Sequence, residues 1–272
     1  MPVGPLTARH RFAKAPAPRS TPPPARNRIE ALLDDLGPQL QPGVSLRNPG
    51  ENRDDSYRHP SGLGVIDELL GGGFPRGDLG EITGPASSGR TSLLFALLAQ
   101  TTTGGGHRPG ELAAVVDPSD AFDPPSAQAA GVDLRRVLWI RVGAWREAMR
   151  CTERLLETEG LPFVILDLAP STPASARPQG EPEIPTSAWT RLARRAATTR
   201  TALVVLSHQR QAGSEARIVL ELQPTRPRFG GVPPLLEEIE TRAVLVRHRG
   251  GASGGSTLVR LGGSPGKRAS NG

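Results

Sequence analysis

The chain has 272 residues, with 33 Lys and Arg against 27 Asp and Glu, a net charge of +6 and a pI of about 10.7. That length holds one large α/β domain or two small ones, and the basic balance suits a partner bearing phosphates or an acidic surface, although a GC-rich genome writing Arg, Ala, Gly and Pro throughout gives the same balance. A single cysteine, Cys151, excludes a disulfide framework; no apolar run approaches the ~18 residues of a membrane span, and the N-terminus lacks a secretory apolar core, so a soluble protein of the cytoplasm or its nucleoid is expected.

Residues 1–26 hold seven prolines, five Lys or Arg and no acid, which predicts a disordered basic arm. Residues 27–60 read as an N-terminal helix and linker: Ile29, Leu32, Leu33 and Leu36 share one helical face, and Gly37 and Pro38 end it. The core is expected over 61–261. Its strand candidates are 79–83, 112–117, 137–142, 163–168 and 203–207, each apolar on both faces as buried parallel strands are. Helical patterns separate them at 92–100, 144–159 and 187–198. This alternation predicts an α/β fold with a mainly parallel twisted sheet flanked by helices. Three alternating segments, 218–222, 243–247 and 257–261, follow without clear helices and suggest antiparallel strands at the C-terminal end. Residues 262–272 read as a disordered tail.

The segment Glu81-Ile-Thr-Gly84-Pro-Ala-Ser-Ser88-Gly89-Arg90-Thr91 has the spacing G-x-x-x-x-G-K-S/T, with Arg90 in place of Lys. A strand precedes it and an apolar helix follows. Backbone N–H groups and the helix N-terminus there cradle phosphate, and the Thr91 hydroxyl can ligate Mg²⁺, so ATP and Mg²⁺ are the implied cofactors. The bland alternative is a Gly-rich turn capping a helix. Guanidinium is wider than ammonium, so Arg90 either sits outside the cradle or fills it; anion binding survives that change better than transition-state stabilisation does. Asp167, closing the apolar run from Phe163, stands where a Mg²⁺-organising carboxylate belongs. Arg191, Arg194 and Arg195 share one helical face, as a phosphate or partner patch or as a solvated surface. His208 reads as a strand-end residue, with no metal site at ligand spacing.

With those residues in view, the chain resembles the RecA recombinase family from about Arg26 to Leu261. Ser61-Gly-Leu-Gly-Val-Ile-Asp-Glu-Leu-Leu-Gly-Gly-Gly-Phe-Pro-Arg-Gly is similar to the family's approach to its phosphate loop. The stretch from Val116 to Pro124 is similar to the segment bearing the family's catalytic glutamate, and Leu206-Ser-His-Gln209-Arg to the strand end bearing a γ-phosphate-sensing Gln. Glu240-Thr-Arg-Ala-Val-Leu-Val-Arg247-His-Arg249 resembles the strand that offers two basic residues to a neighbouring subunit's ATP.

The resemblance also exposes departures. Ser119 occupies the position of the water-activating glutamate, and a hydroxyl is a poor general base; Asp120 beside it is the candidate substitute. The segment between Gln209 and Ile218 is shorter than the recombinase's second DNA-binding loop, and Ala169 to Pro185, in place of the first, reads as a mobile linker. Together these point to the ImuA branch. That resemblance implies an accessory protein of SOS-induced translesion synthesis, contacting RecA, an ImuB-like partner and DNA, with weak or absent ATP hydrolysis. The helix over 29–36 either packs on its own core or, as the resemblance implies, docks onto a RecA-like neighbour, a second copy of this chain or a foreign protein. The rival expectation is a DNA-dependent ATPase of the recombinase class; a third is an interaction module that never meets nucleotide.

Overall fold

Five-residue runs such as Ala113–Asp117 and Phe163–Asp167 are buried at every position, because apolar residues on both faces of a strand need cover on both sides. A computed structural model describes residues 58–104, 109–169, 184–232 and 235–262. The expected arm over 1–26, the helix within 27–36, the proline-rich stretch over 170–183 and the tail from 263 lie outside the described residues. All the described residues fall in one compact unit, Arg53–Gly272.

In chain order the elements are β1 (Arg58–His59), α1 (Gly64–Leu70), β2 (Phe74–Pro75), β3 (Leu79–Thr83), α2 (Arg90–Thr103), β4 (Ala113–Asp117), α3 (Pro124–Ala129), β5 (Val137–Arg141), α4 (Trp145–Leu155), β6 (Phe163–Asp167), α5 (Thr186–Thr199), β7 (Ala202–Ser207), β8 (Ile218–Gly230), β9 (Leu235–His248) and β10 (Ser256–Leu261). Strands β1 and β2 form a short antiparallel pair. The other eight make one sheet in the order β10-β9-β8-β3-β7-β6-β4-β5, parallel from β8 to β5 and antiparallel from β8 to β10. This is the mixed, mainly parallel α/β sheet with antiparallel strands at its C-terminal end.

Strand alternation divides the core in two. Ala113, Val115, Phe163 and Ile165 face one side, with α1 and α2 over them. Ala114, Val116, Val164 and Leu166 face the other, against Ala148 and Met149 of α4 and Trp189 and Leu192 of α5. Cys151 packs at the margin of this second layer, half-buried.

Two strand expectations need correction. The segment over 137–142 is apolar enough for a central strand, yet β5 is the sheet edge, with Leu138 52% exposed; composition cannot say which strand lacks a neighbour. The strands expected over 218–222 and 243–247 are 13 and 14 residues long. Their outer halves pair through the backbone as a ribbon, with register shifts near Pro224 and Arg228, and the exposed stretch Gln223–Phe229 has no apolar alternation to announce it.

Candidate functional site

Parallel strands all end at one edge of the sheet, which gathers distant residues. The register pairs Thr83 of β3 with Ser207 of β7, Leu206 of β7 with Asp167 of β6, and Leu166 of β6 with Val116 of β4. Hence Gly84–Gly89, Gln209, Asp167 and Asp117–Ser119 converge on one crevice.

The phosphate-type loop turns through Ser87 at φ 61 and Gly89 at φ 90, both left-handed. Gly84 is needed for space: a Cβ there would lie 2.5 Å from the Leu222 carbonyl and 2.6 Å from Ser88 Oγ. Gly89 caps α2 with no side-chain hydrogen bond, so the first N–H groups of a 14-residue helix remain available to an anion. Ser88 Oγ is buried without a hydrogen-bond partner, and such a hydroxyl stands ready for a ligand oxygen. Thr91 is exposed at the first turn. These residues fit a bound phosphate, held by the helix N-terminus and Ser88, with Thr91 and Asp167 as the groups for its Mg²⁺. The metal would supply charge neutralisation at the phosphate oxygens.

Arg90 is buried, at 8% exposure, so the guanidinium turns inward from α2 instead of out to solvent. Its charge reaches Asp167. Burial pushes the Asp167 carboxyl up to about 7; the Ala169 N–H, donating at 2.9 Å, opposes this, the Asp117 charge adds to it, and Arg90 opposes it. A cation in the crevice would likewise favour the carboxylate.

Ser119 lies at the end of β4, where its N–H donates to Asp117 Oδ1 at 3.1 Å. Asp120 has φ 50 and is exposed. Its carboxylate sits 3.8 Å from Arg141 Nη1, and that guanidinium lies over the Trp139 ring at 4.8 Å. Both partners belong to β5, the strand farthest from β3 on that side, so Asp120 leans away from the phosphate loop.

Two buried carboxylates organise the crevice and were not singled out by sequence. Asp117 accepts the N–H groups of Ser119, Ala121 and Phe122 and the Trp139 indole N–H. Glu81 Oε1 accepts from Gln211 N–H at 2.5 Å, Ala212 N–H at 3.3 Å and the Ser207 hydroxyl at 3.3 Å. Each was detectable as an acid inside or closing an apolar run, a pattern that demands internal donors. Gln209 is exposed just beyond β7. Arg247 Nη1 donates to the Gly213 carbonyl at 2.5 Å and Arg249 Nη2 to that of Ser214 at 2.5 Å; both therefore cap a turn of their own chain. Arg191 and Arg195 pair with Glu153 at 3.4 Å and Glu157 at 3.1 Å, so only Arg194 of the expected patch has no acidic partner among the described residues.

The family described as RecA N-terminal domain matches residues 29–208, about two thirds of the chain. The chain belongs to the RecA family. Among curated relatives, the RecA protein of Corynebacterium urealyticum is 32% identical over 171 residues, covering 61% of this chain and 45% of that protein. RecA of Chlorobaculum tepidum is 30% identical over 177 residues, covering 62% and 49%. The chain thus spans about half the length of the curated relatives it matches. The crystal structure of the RadB recombinase has the same fold, with a TM-score of 0.56 at 22% identity, covering 74% of this chain and 95% of that one. The family match ends at His208, so Gln209, Arg247 and Arg249 lie beyond it. The turn over Gly84–Thr91, Asp167 and Ser119 lie inside it.

Proposed function

We propose that this RecA-family chain is an accessory protein of SOS and damage-induced translesion synthesis, of the ImuA branch. It bridges RecA, an ImuB-like partner and DNA in the cytoplasm, and it binds ATP and Mg²⁺ at a degenerate site with weak or absent hydrolysis. The supporting observation is the placement of Asp120, which is drawn toward Arg141 and Trp139 on β5, beside the Ser119 that stands where the RecA resemblance expects the water-activating glutamate. A base must reach the water it activates, and Asp123, the other acid of this loop, caps α3 by accepting the Ser126 N–H at 3.0 Å. Arg90 keeps a positive charge in the cradle, which suits anion binding, but its planar fork differs from the compact ammonium it replaces. Residues 1–26 and the helix within 27–60 are assigned to partner contact, and the core over 61–261 to the RecA-like platform. Arg247 and Arg249 serve self-association or heterotypic contact by leaving the 213–216 turn.

ATP turnover by the purified chain, with and without single-stranded DNA, tests the nucleotide part. Turnover near background in the parent, raised by Arg90→Lys with Ser119→Glu, is the expected outcome. DNA-stimulated parent turnover that collapses in Thr91→Ala would establish the rival DNA-dependent ATPase. Surface-binding assays with RecA and an ImuB-like protein test the bridging part; binding to neither would refute it.

A further inference from the structure

The outer face of the α4–α5 pair is not used by the crevice. On α4, Arg146, Arg150 and Arg154 stand at i, i+4 and i+8 and are all exposed, forming one row with steps of about 6 Å. Like charges at that spacing destabilise a helix slightly, and of the three only Arg154, in the last turn, is placed to favour α4 itself. Both helices lead from the carboxyl edge of the sheet back to its amino edge. They are zipped together by the Arg191–Glu153 and Arg195–Glu157 pairs, at 3.4 and 3.1 Å. These pairs hold a second line of arginines beside the first.

The outermost charges are the least compensated. Arg150 and Arg194 have no acidic partner among the described residues, and Arg146 lies over the Trp145 ring at 4.6 Å instead of on a carboxylate. Arg154 is 85% exposed and shares Glu157 with Arg195. The face also lacks the apolar centre of a protein interface: the exposed large hydrophobics, Val65, Leu112, Leu138, Phe229, Val232, Val246 and Leu258, are all elsewhere. Phosphates, by contrast, are held by arginines without apolar contact.

We propose that the α4–α5 arginine face binds the phosphate backbone of a nucleic acid. Recognition is independent of base sequence, because the face offers no open aromatic platform for stacking, and it weakens steeply with salt. This deepens the DNA contact of the proposed function and stands apart from its nucleotide and protein-partner parts.

Fluorescence anisotropy of the full chain with a labelled mixed-sequence oligonucleotide, across about 50 to 200 mM salt, tests it. The combined Arg146→Gln, Arg150→Gln, Arg194→Gln variant is expected to bind about tenfold or more weakly and to lose about 2 from the salt slope for single strands. Glu153→Gln with Glu157→Gln releases Arg191 and Arg195 and is expected to tighten binding, a gain that misfolding cannot mimic. Nucleotide binding and association with RecA should be unchanged in both variants, which separates this test from the proposed function. No binding by the parent at low salt, or parent-like affinity and slope in both variants, would overturn the proposal. Displacement by poly-glutamate as effective as by DNA would overturn it in favour of an acidic protein.

Discussion

The buried Glu81 carboxylate accepts the Gln211 N–H at 2.5 Å, so the strand leading into the phosphate loop holds the segment that follows Gln209. Ala212 and Ser207 add donors to the same oxygen. Glu81→Ala would remove the acceptor of the Gln211 and Ala212 N–H groups and of the Ser207 hydroxyl and is expected to cost about 3 kcal/mol, read by urea unfolding. A loss within error of zero would mean that water replaces the carboxylate.

Glu81 also gives a pH signature. Burial holds its carboxyl above the ordinary 4.5, against the Gln211, Ala212 and Ser207 hydrogen bonds and the Arg210 charge. The folded chain therefore binds that proton more tightly than the unfolded chain. The contribution is fully present below about 4.5 and lost as pH rises through the folded value. In Glu81→Gln the titration is gone, so variant-minus-parent stability is expected to climb above pH 4.5 and then level off. A difference independent of pH would contradict the burial argument.

Gly84→Ala places a Cβ against the Leu222 carbonyl, at 2.5 Å, and Ser88 Oγ, at 2.6 Å. Backbone on one side cannot yield, so the loop must shift. Destabilisation of about 1–3 kcal/mol is expected, together with loss of any rise in Tm that ATP and Mg²⁺ give the parent. Thermal unfolding with and without nucleotide reads both.

Asp117→Ala removes the acceptor for three N–H groups and the Trp139 indole. About 3 kcal/mol of destabilisation is expected, with altered near-ultraviolet circular dichroism from Trp139. A native-like spectrum would show that the turn after β4 is held by other contacts.

Much of the crevice was legible because its parts are local. Gly84, Gly89 and Thr91 are spaced for a turn that opens a helix, and Asp167 closes an apolar run at a strand end; both signals survive in one dimension. Glu81 and Asp117 are equally structural, yet their donors come from segments far along the chain or from a turn whose shape only the fold supplies. The ribbon of β8 and β9 was half-seen for a related reason: beyond Leu222 the pairing rests on backbone hydrogen bonds, which leave no apolar alternation to read.

By itself the sequence determined the α/β architecture, the order of its strands along the chain and the glycine-spaced turn that opens α2, since periodicity and glycine spacing are short-range. Only the tertiary structure decided which strand became the edge, that Arg90 turned inward, that Asp120 met Arg141 instead of the phosphate loop, and that Arg191 and Arg195 zipped two helices while Arg194 stayed outside. Those outcomes depend on what lies across a sheet or between two helices, and a side chain's partner in space is not encoded by its neighbours in line.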